Sequence, residues 1–407
     1  VVVLGAGLAG VCTALEIARR GRRVTIIDQA PDCLRRASLR NEGKIHLGLV
    51  YANDPTLRTA ALMLRAALQF DRAIERLVGA AVDWASLRSS AFVYAVLAGS
   101  LRTLDELEDV YAALQGCYDE LVCGESLSYL GTRPRDLWWP LPEPAASRWL
   151  ASGVATGAVA TAELALDLGG LCRLLRSALE SADLVERRWA HRVESVQPTS
   201  RGYRIEGRTA DGVGWALCAP VVVNCLWEDR MRLDAQLGLA PSRGWVHRLK
   251  YRLLGRLPGT LTDLPSVTLV LGPFGDVVTW PSGRVYLSWY PACLRGWTSE
   301  LAVPESWQAP CNGEVEPRAA HEIAVHALSE LDRIVPGLGA TTIDTVDAGI
   351  ITAWGETDID DPASGFHQRH DVGPSARDGW ISVDTGKLTT APLFAERAAI
   401  LASEALG

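Results

Sequence analysis

The spacing of apolar and polar positions changes period several times along the chain of 407 residues. Residues 1–4 are continuously apolar, as suits a strand buried on both faces. From Leu8 to Arg20 the apolar positions recur at helical spacing and stop at Gly21. A second apolar strand over 24–27 ends on Asp28. Residues 56–78 predict an amphipathic helix, with Leu57, Ala61, Leu64, Leu68 and Ile74 near one stripe. Residues 105–123 predict another, with Asp105 as its N-cap. The Pro- and Trp-rich stretch 134–144 reads as a boundary loop or a lid, and helical spacing returns over 163–182. Strands are expected at 191–197, 203–210, 215–218 and 221–223, with turns at Asp211, Gly212 and Pro220. From 245 to 290 the pattern is almost all strand. Over 285–290 the alternation puts Tyr286, Ser288 and Tyr290 on one face and Leu287 and Trp289 on the other. A helix at 318–335, strands at 343–353 and 380–383, and a final helix from about Thr390 complete the pattern.

Chemistry enters first at the turn between the opening strand and helix. Gly5, Gly7 and Gly10 form G-x-G-x-x-G, in register with strand, helix, second strand and terminal acid. Gly5 permits the tight turn, Gly7 lets the backbone approach a pyrophosphate, and Gly10 lets helix and strand pack closely. The helix start around Leu8 and Ala9 supplies N–H groups and a positive dipole to phosphates. Asp28, followed by Gln29, can accept hydrogen bonds from both ribose hydroxyls. The unit is a dinucleotide site of Rossmann type, and Asp28 alone does not choose between NAD and FAD.

Composition narrows the partners. The chain is 48% hydrophobic and 22% charged, as expected of a soluble globular protein. A net charge of −8 argues against nucleic acid or an anionic membrane as partner. No apolar run reaches the length of a membrane span. The first residues already form a strand, so leading residues, and any targeting segment with them, are expected to precede them. Nine cysteines, an odd number without C-x-x-C, predict a reduced cytoplasmic protein with neither a disulfide framework nor a zinc site. Fourteen Trp against five Phe is unusual. Most are expected to fill a sheet-rich domain, and a few to wall a substrate site.

Two further segments resemble one family. The stretch 37–48, containing Ser38, Asn41, Glu42, Gly43, Lys44 and His46, resembles the second FAD-contacting loop of the D-amino-acid-oxidase superfamily. The stretch 379–390, with Gly386, Lys387, Leu388 and Thr389 before a helix, resembles the ending of its glycerol-3-phosphate dehydrogenases, where this turn meets the isoalloxazine. The resemblance implies FAD as cofactor, the Val193 backbone at adenine, and Asn224 on the strand that returns to the cofactor. Cofactor motifs that occur early, in the middle and at the end, with Trp-rich strands between, predict an α/β fold: a Rossmann-type FAD-binding domain (1–84, 153–229 and 344–407) interleaved with a second α+β substrate domain with a mainly antiparallel sheet (85–152 and 230–343). The chain departs from the family where Cys225, Leu226 and Trp227 replace small residues. It departs again after Gly349, where an Arg is missing, so a phosphorylated glycerol is disfavoured as substrate.

The expected chemistry is oxidation of a C–N or C–O bond in a small polar substrate by hydride transfer to flavin N5. Amine and alcohol substrates remain open, as do oxidase and dehydrogenase activity. Arg369 is the candidate fork for a substrate carboxylate. Tyr290 is a polar contact from the second domain, and His46 borders the flavin or relays a proton. His367 and His370, three apart, have no acid/His set to complete a metal site, so no metal is expected. A flavin hydroxylase is the alternative reading, but the late G-D-A-x-H-type motif is replaced by residues 383–386. A non-enzymatic dinucleotide-binding protein would not need the flavin-approaching loop and the C-terminal turn together.

Overall fold

The computed structural model describes residues 1–239, 241 and 243–407. Among these, six strands form a sheet in the order Gly373–Arg377, Trp380–Asp384, Val222–Asn224, Val2–Leu4, Val24–Ile27, Val185–Arg188. All neighbours are parallel except the hairpin Gly373–Arg377 with Trp380–Asp384. The opening strand sits at the centre, which explains why its residues are apolar on both faces and buried. Helix Leu8–Arg19 leads from it to the neighbouring strand and ends as Gly21 turns with φ 75°. The helix packs on the C-terminal helix Ala391–Glu404, whose buried face is largely alanine and lets the two axes approach.

A second sheet of nine strands is ordered Leu294–Thr298, Trp245–Arg256, Arg284–Trp289, Gly275–Thr279, Ser266–Leu269, Phe92–Leu97, Ala155–Thr161, Trp138–Pro140, with Thr342–Trp354 also paired to Trp245–Arg256. It is antiparallel apart from Ser266–Leu269 beside Phe92–Leu97. The fold is thus a mixed α/β arrangement of several sheets. Strand Thr342–Trp354 pairs in this second sheet, although residues from 344 were expected with the cofactor segments. Ala155–Thr161, expected there too, does the same.

Local corrections have physical reasons. The helix expected at 105–123 spans Leu104–Val122, and its N-cap is Thr103, not Asp105. Thr103 and Glu106 exchange side-chain and backbone hydrogen bonds in a capping box. The stretch 134–144 is no free lid: Trp138–Pro140 is the edge strand of the second sheet, where a proline is tolerated. Of 163–182, only Leu168–Glu180 is helical, started by Asp167 accepting from Gly169 and Gly170. Tyr290 lies one residue past strand Arg284–Trp289 and opens a short helical turn.

Candidate active site

The glycine turn is built by close backbone approach. Gly5 has φ 91°, and a Cβ there would lie 2.7 Å from the Cys225 carbonyl oxygen. A Cβ on Gly10 would lie 1.8 Å from the Gly5 carbonyl oxygen. Gly7 caps the first helix in an extended conformation without a side-chain cap. The Leu8 N–H donates to Ser38 Oγ at 2.9 Å, while the Ala9 N–H has no acceptor among the described residues. A free N–H at a helix start beside a glycine cradle is what a pyrophosphate requires. Asp28 accepts from the N–H of Ala6 at 2.6 Å and of Ala30 at 2.8 Å, one bond to each oxygen. Burial raises its pKa, against those two N–H groups and Arg36. Each oxygen keeps a lone pair for a further donor.

These residues open one end of a groove of about 850 Å³, in the upper part of the range for ligand sites. Gly5, Gly7, Leu8, Ala9, Asp28, Gln29 and Val193 line that end, and Ser38 and Asn41 the middle. Glu42, Lys44, His46, Gly386, Lys387 and Leu388 line the other end. Its lining has the chemistry FAD requires: a carboxylate and a free N–H beside the glycine turn, and a basic turn at the other end.

Six residues expected at the site stand off the groove wall. Gly10 acts from behind, by letting the helix approach Gly5. Gly43, with φ 76°, packs where a Cβ would lie 2.3 Å from the Leu166 carbonyl oxygen. Asn224 is fully buried, and its amide donates to the Arg230 carbonyl and to Asp234, so it braces the loop after its strand and does not reach the cofactor groove. Thr389 is also fully buried; its Oγ1 accepts from the His46 N–H at 2.9 Å and ties the His46 loop to the C-terminal turn. Arg369 and Tyr290 neighbour Lys387 and Lys250, which do line the groove. The charge of Arg369 is, after burial, the main influence on Lys387, and Lys250 Nζ sits 4.3 Å from the centre of the Tyr290 ring.

This end is crowded with charge. Arg248, Lys250 and Arg252 alternate along strand Trp245–Arg256 and are all buried. Arg248 pairs with Asp358 at 2.8 Å, Arg252 with Asp347 at 2.6 Å, and Lys44 with Asp276 at 2.8 Å. Burial and then Arg369 push Lys387 down to about 7. Burial would raise Glu42, but Lys250, Lys387, His46 and Lys44 outweigh it and hold the carboxyl below its ordinary range. His247, by contrast, is buried and bonded to Thr352, away from the groove. The sequence reading missed Lys250, Arg248, Tyr51 and Glu163. Basic residues at alternate positions of an otherwise apolar strand were the available signal for the first two. A lone acid in the small, apolar run 154–166 was the signal for Glu163.

The comparisons agree with this architecture. The family model described as FAD dependent oxidoreductase (DAO) matches residues 1–399, so the chain belongs to that family of FAD-dependent oxidoreductases. Its cofactor is FAD, and it is an oxidoreductase. No curated protein matches it in sequence. Glycine oxidase from Geobacillus kaustophilus superposes with a TM-score of 0.67 at 15% identity, covering 99% of this chain and 93% of that one. L-Proline dehydrogenase from P. horikoshii gives 0.66 at 12% identity, covering 99% and 92%. Glycerol-3-phosphate dehydrogenase from Bacillus halodurans, complexed with FAD, gives 0.56 at 15% identity, covering 100% and 64%. Among the described residues no helix is long and apolar enough to cross a membrane, and no cluster of side chains has the makings of a metal site.

Proposed function

We propose that the chain oxidises a C–N or C–O bond of a small substrate that carries a carboxylate. One observation supports this reading above the others. At the Lys387 end, Lys250, Lys387 and Arg369 have no carboxylate within 4.0 Å among the described residues, whereas their neighbours Lys44, Arg248 and Arg252 each have one. Desolvated cations without partners are costly, and an anionic group of the substrate would offset that cost. Arg369 suits the task. Its Nε is fixed by the Phe366 carbonyl at 2.9 Å and its backbone N–H by Thr59 Oγ1 at 2.8 Å, while its two terminal nitrogens have no hydrogen-bond partner among the described residues.

FAD supplies the two-electron acceptor when bound. In this reading the six-stranded sheet and its loops hold the cofactor, and the nine-stranded sheet covers the substrate. Asp28 takes the ribose, Gly7, Ala9 and Ser38 the pyrophosphate region, and the Val193 backbone the adenine. The turn Gly386 to Leu388 meets the flavin ring. In this reading the substrate reaches past Lys387 and Lys250 to Arg369 and Tyr290, off the groove wall. They hold it so that the reacting C–H faces the cofactor, mostly a gain of orientation.

Anaerobic mixing of the holoenzyme with amino acids, 2-hydroxy acids and the amides of both tests the proposal through the visible flavin absorbance. Acids should bleach it and the matching amides should not; an amide that bleaches it as fast as its acid defeats the reading. Arg369→Lys keeps the charge but loses the fork. It should raise KM for the active acid by about 10- to 100-fold, from the ~1.5–3 kcal/mol of a charge-assisted bond, and leave the flavin spectrum unchanged.

A further inference from the structure

Glu163 is a fully buried carboxylate. Oε2 accepts from the Leu47 N–H at 2.6 Å, and Oε1 accepts from the Tyr94 hydroxyl. Oε1 also lies 3.7 Å from His46 Nδ1. That nitrogen is buried and has no hydrogen-bond partner among the described residues. The His46 backbone is held by its N–H on Thr389 Oγ1, and the imidazole meets the edge-on ring of Tyr51, with centroids 5.3 Å apart. His46 lines the groove, and its other nitrogen, Nε2, lies 3.9 Å from Glu42 on the same wall.

We propose that Glu163 and His46 form a carboxylate–imidazole pair in which Glu163 keeps the proton on Nδ1, leaving the Nε2 lone pair as the proton acceptor of the groove. This rests on the oxidation proposed above. The substrate O–H or N–H bond breaks and its proton bonds to Nε2. The pair left on the heteroatom forms its second bond to carbon, and the hydride leaves that carbon with its own electron pair for the cofactor. Glu163 touches no substrate and acts as a positioning residue: it fixes the tautomer and stabilises the imidazolium formed.

The groups facing His46 are Glu42 and Lys44 on its own loop, Glu163, Tyr51, and Lys387 from the C-terminal turn. Burial lowers the His46 pKa, and Glu163 opposes this without overcoming it. The ring is therefore neutral at neutral pH and able to accept a proton. A carboxylate serving only to pin the loop would be satisfied by Leu47 and Tyr94 and would not require a particular tautomer.

Long-range proton–nitrogen NMR of holoenzyme labelled with ¹⁵N-histidine reads this directly. The seven histidines allow assignment against a His46→Asn spectrum. Wild type should show His46 protonated at Nδ1. Glu163→Gln should lower its pKa by about one unit or more, the usual effect of losing an adjacent opposite charge, and Glu163→Asp should recover part of that shift. With an acid that bleaches the flavin, the acid limb of the reduction rate should move to lower pH in Glu163→Gln. A wild-type ring protonated at Nε2 overturns the proposal even if no variant folds, as does a His46 titration unmoved in Glu163→Gln. If the tautomer is as expected but no compound of the panel bleaches the flavin, it is the oxidation reading that fails.

Discussion

Replacing Gly10 by alanine is expected to give protein that purifies without flavin. The added Cβ would lie 1.8 Å from the Gly5 carbonyl oxygen, a backbone atom that no rotamer change can move aside. The helix start must therefore retreat from the strand end by more than an ångström, taking the Leu8 and Ala9 N–H groups with it. Misplacing binding groups by about 1 Å costs on the order of 100-fold, and here both the glycine cradle and the helix dipole are displaced. The ratio of flavin to protein absorbance after purification, and titration of the apoprotein with FAD, measure the loss. Circular dichroism separates it from unfolding. Stoichiometric FAD in Gly10→Ala would show that the helix does not need to sit where it does.

Asp28→Ala should cost nearly as much. Two charge-assisted bonds to the ribose, at ~1.5–3 kcal/mol each, correspond to a fall in FAD affinity of roughly 10²- to 10⁴-fold. The structure adds a second term. The same carboxylate anchors the N–H groups of Ala6 and Ala30, so its removal also loosens the glycine turn and the loop toward Pro31. Asp28→Asn, which keeps one oxygen and the side-chain shape, should fall between wild type and Asp28→Ala. FAD affinity by fluorescence titration gives the order; an Asp28→Ala protein with wild-type affinity would remove Asp28 from the cofactor site.

The difference between what could be read along the chain and what could not follows the range of the interactions. The glycine turn, the first helix, the acid at the end of the second strand and the C-terminal turn each depend on residues within a few positions of one another, and each was legible. The cap at Thr103 was missed by two residues because Asp105 has the right chemistry, and only the reciprocal bond with Glu106 decides between them. The strand Phe92–Leu97 gave no alternating signal because both its faces are buried. The stretch 134–144 read as a lid because proline breaks a central strand but not an edge.

The sequence by itself determined the FAD family, the glycine turn between the first strand and helix, and the acid that ends the second strand, since motif spacing and local periodicity encode them. Only the tertiary structure decided which charges meet. Lys250 comes to rest between Arg248 and Arg252 without a carboxylate of its own among the described residues, and Arg369 stands off the groove wall, near Lys387. Glu163 reaches the loop of His46 and Leu47 from more than a hundred residues away. No local period records such meetings, because they arise where two sheets from distant parts of the chain close over one groove, and burial then sets which groups stay charged.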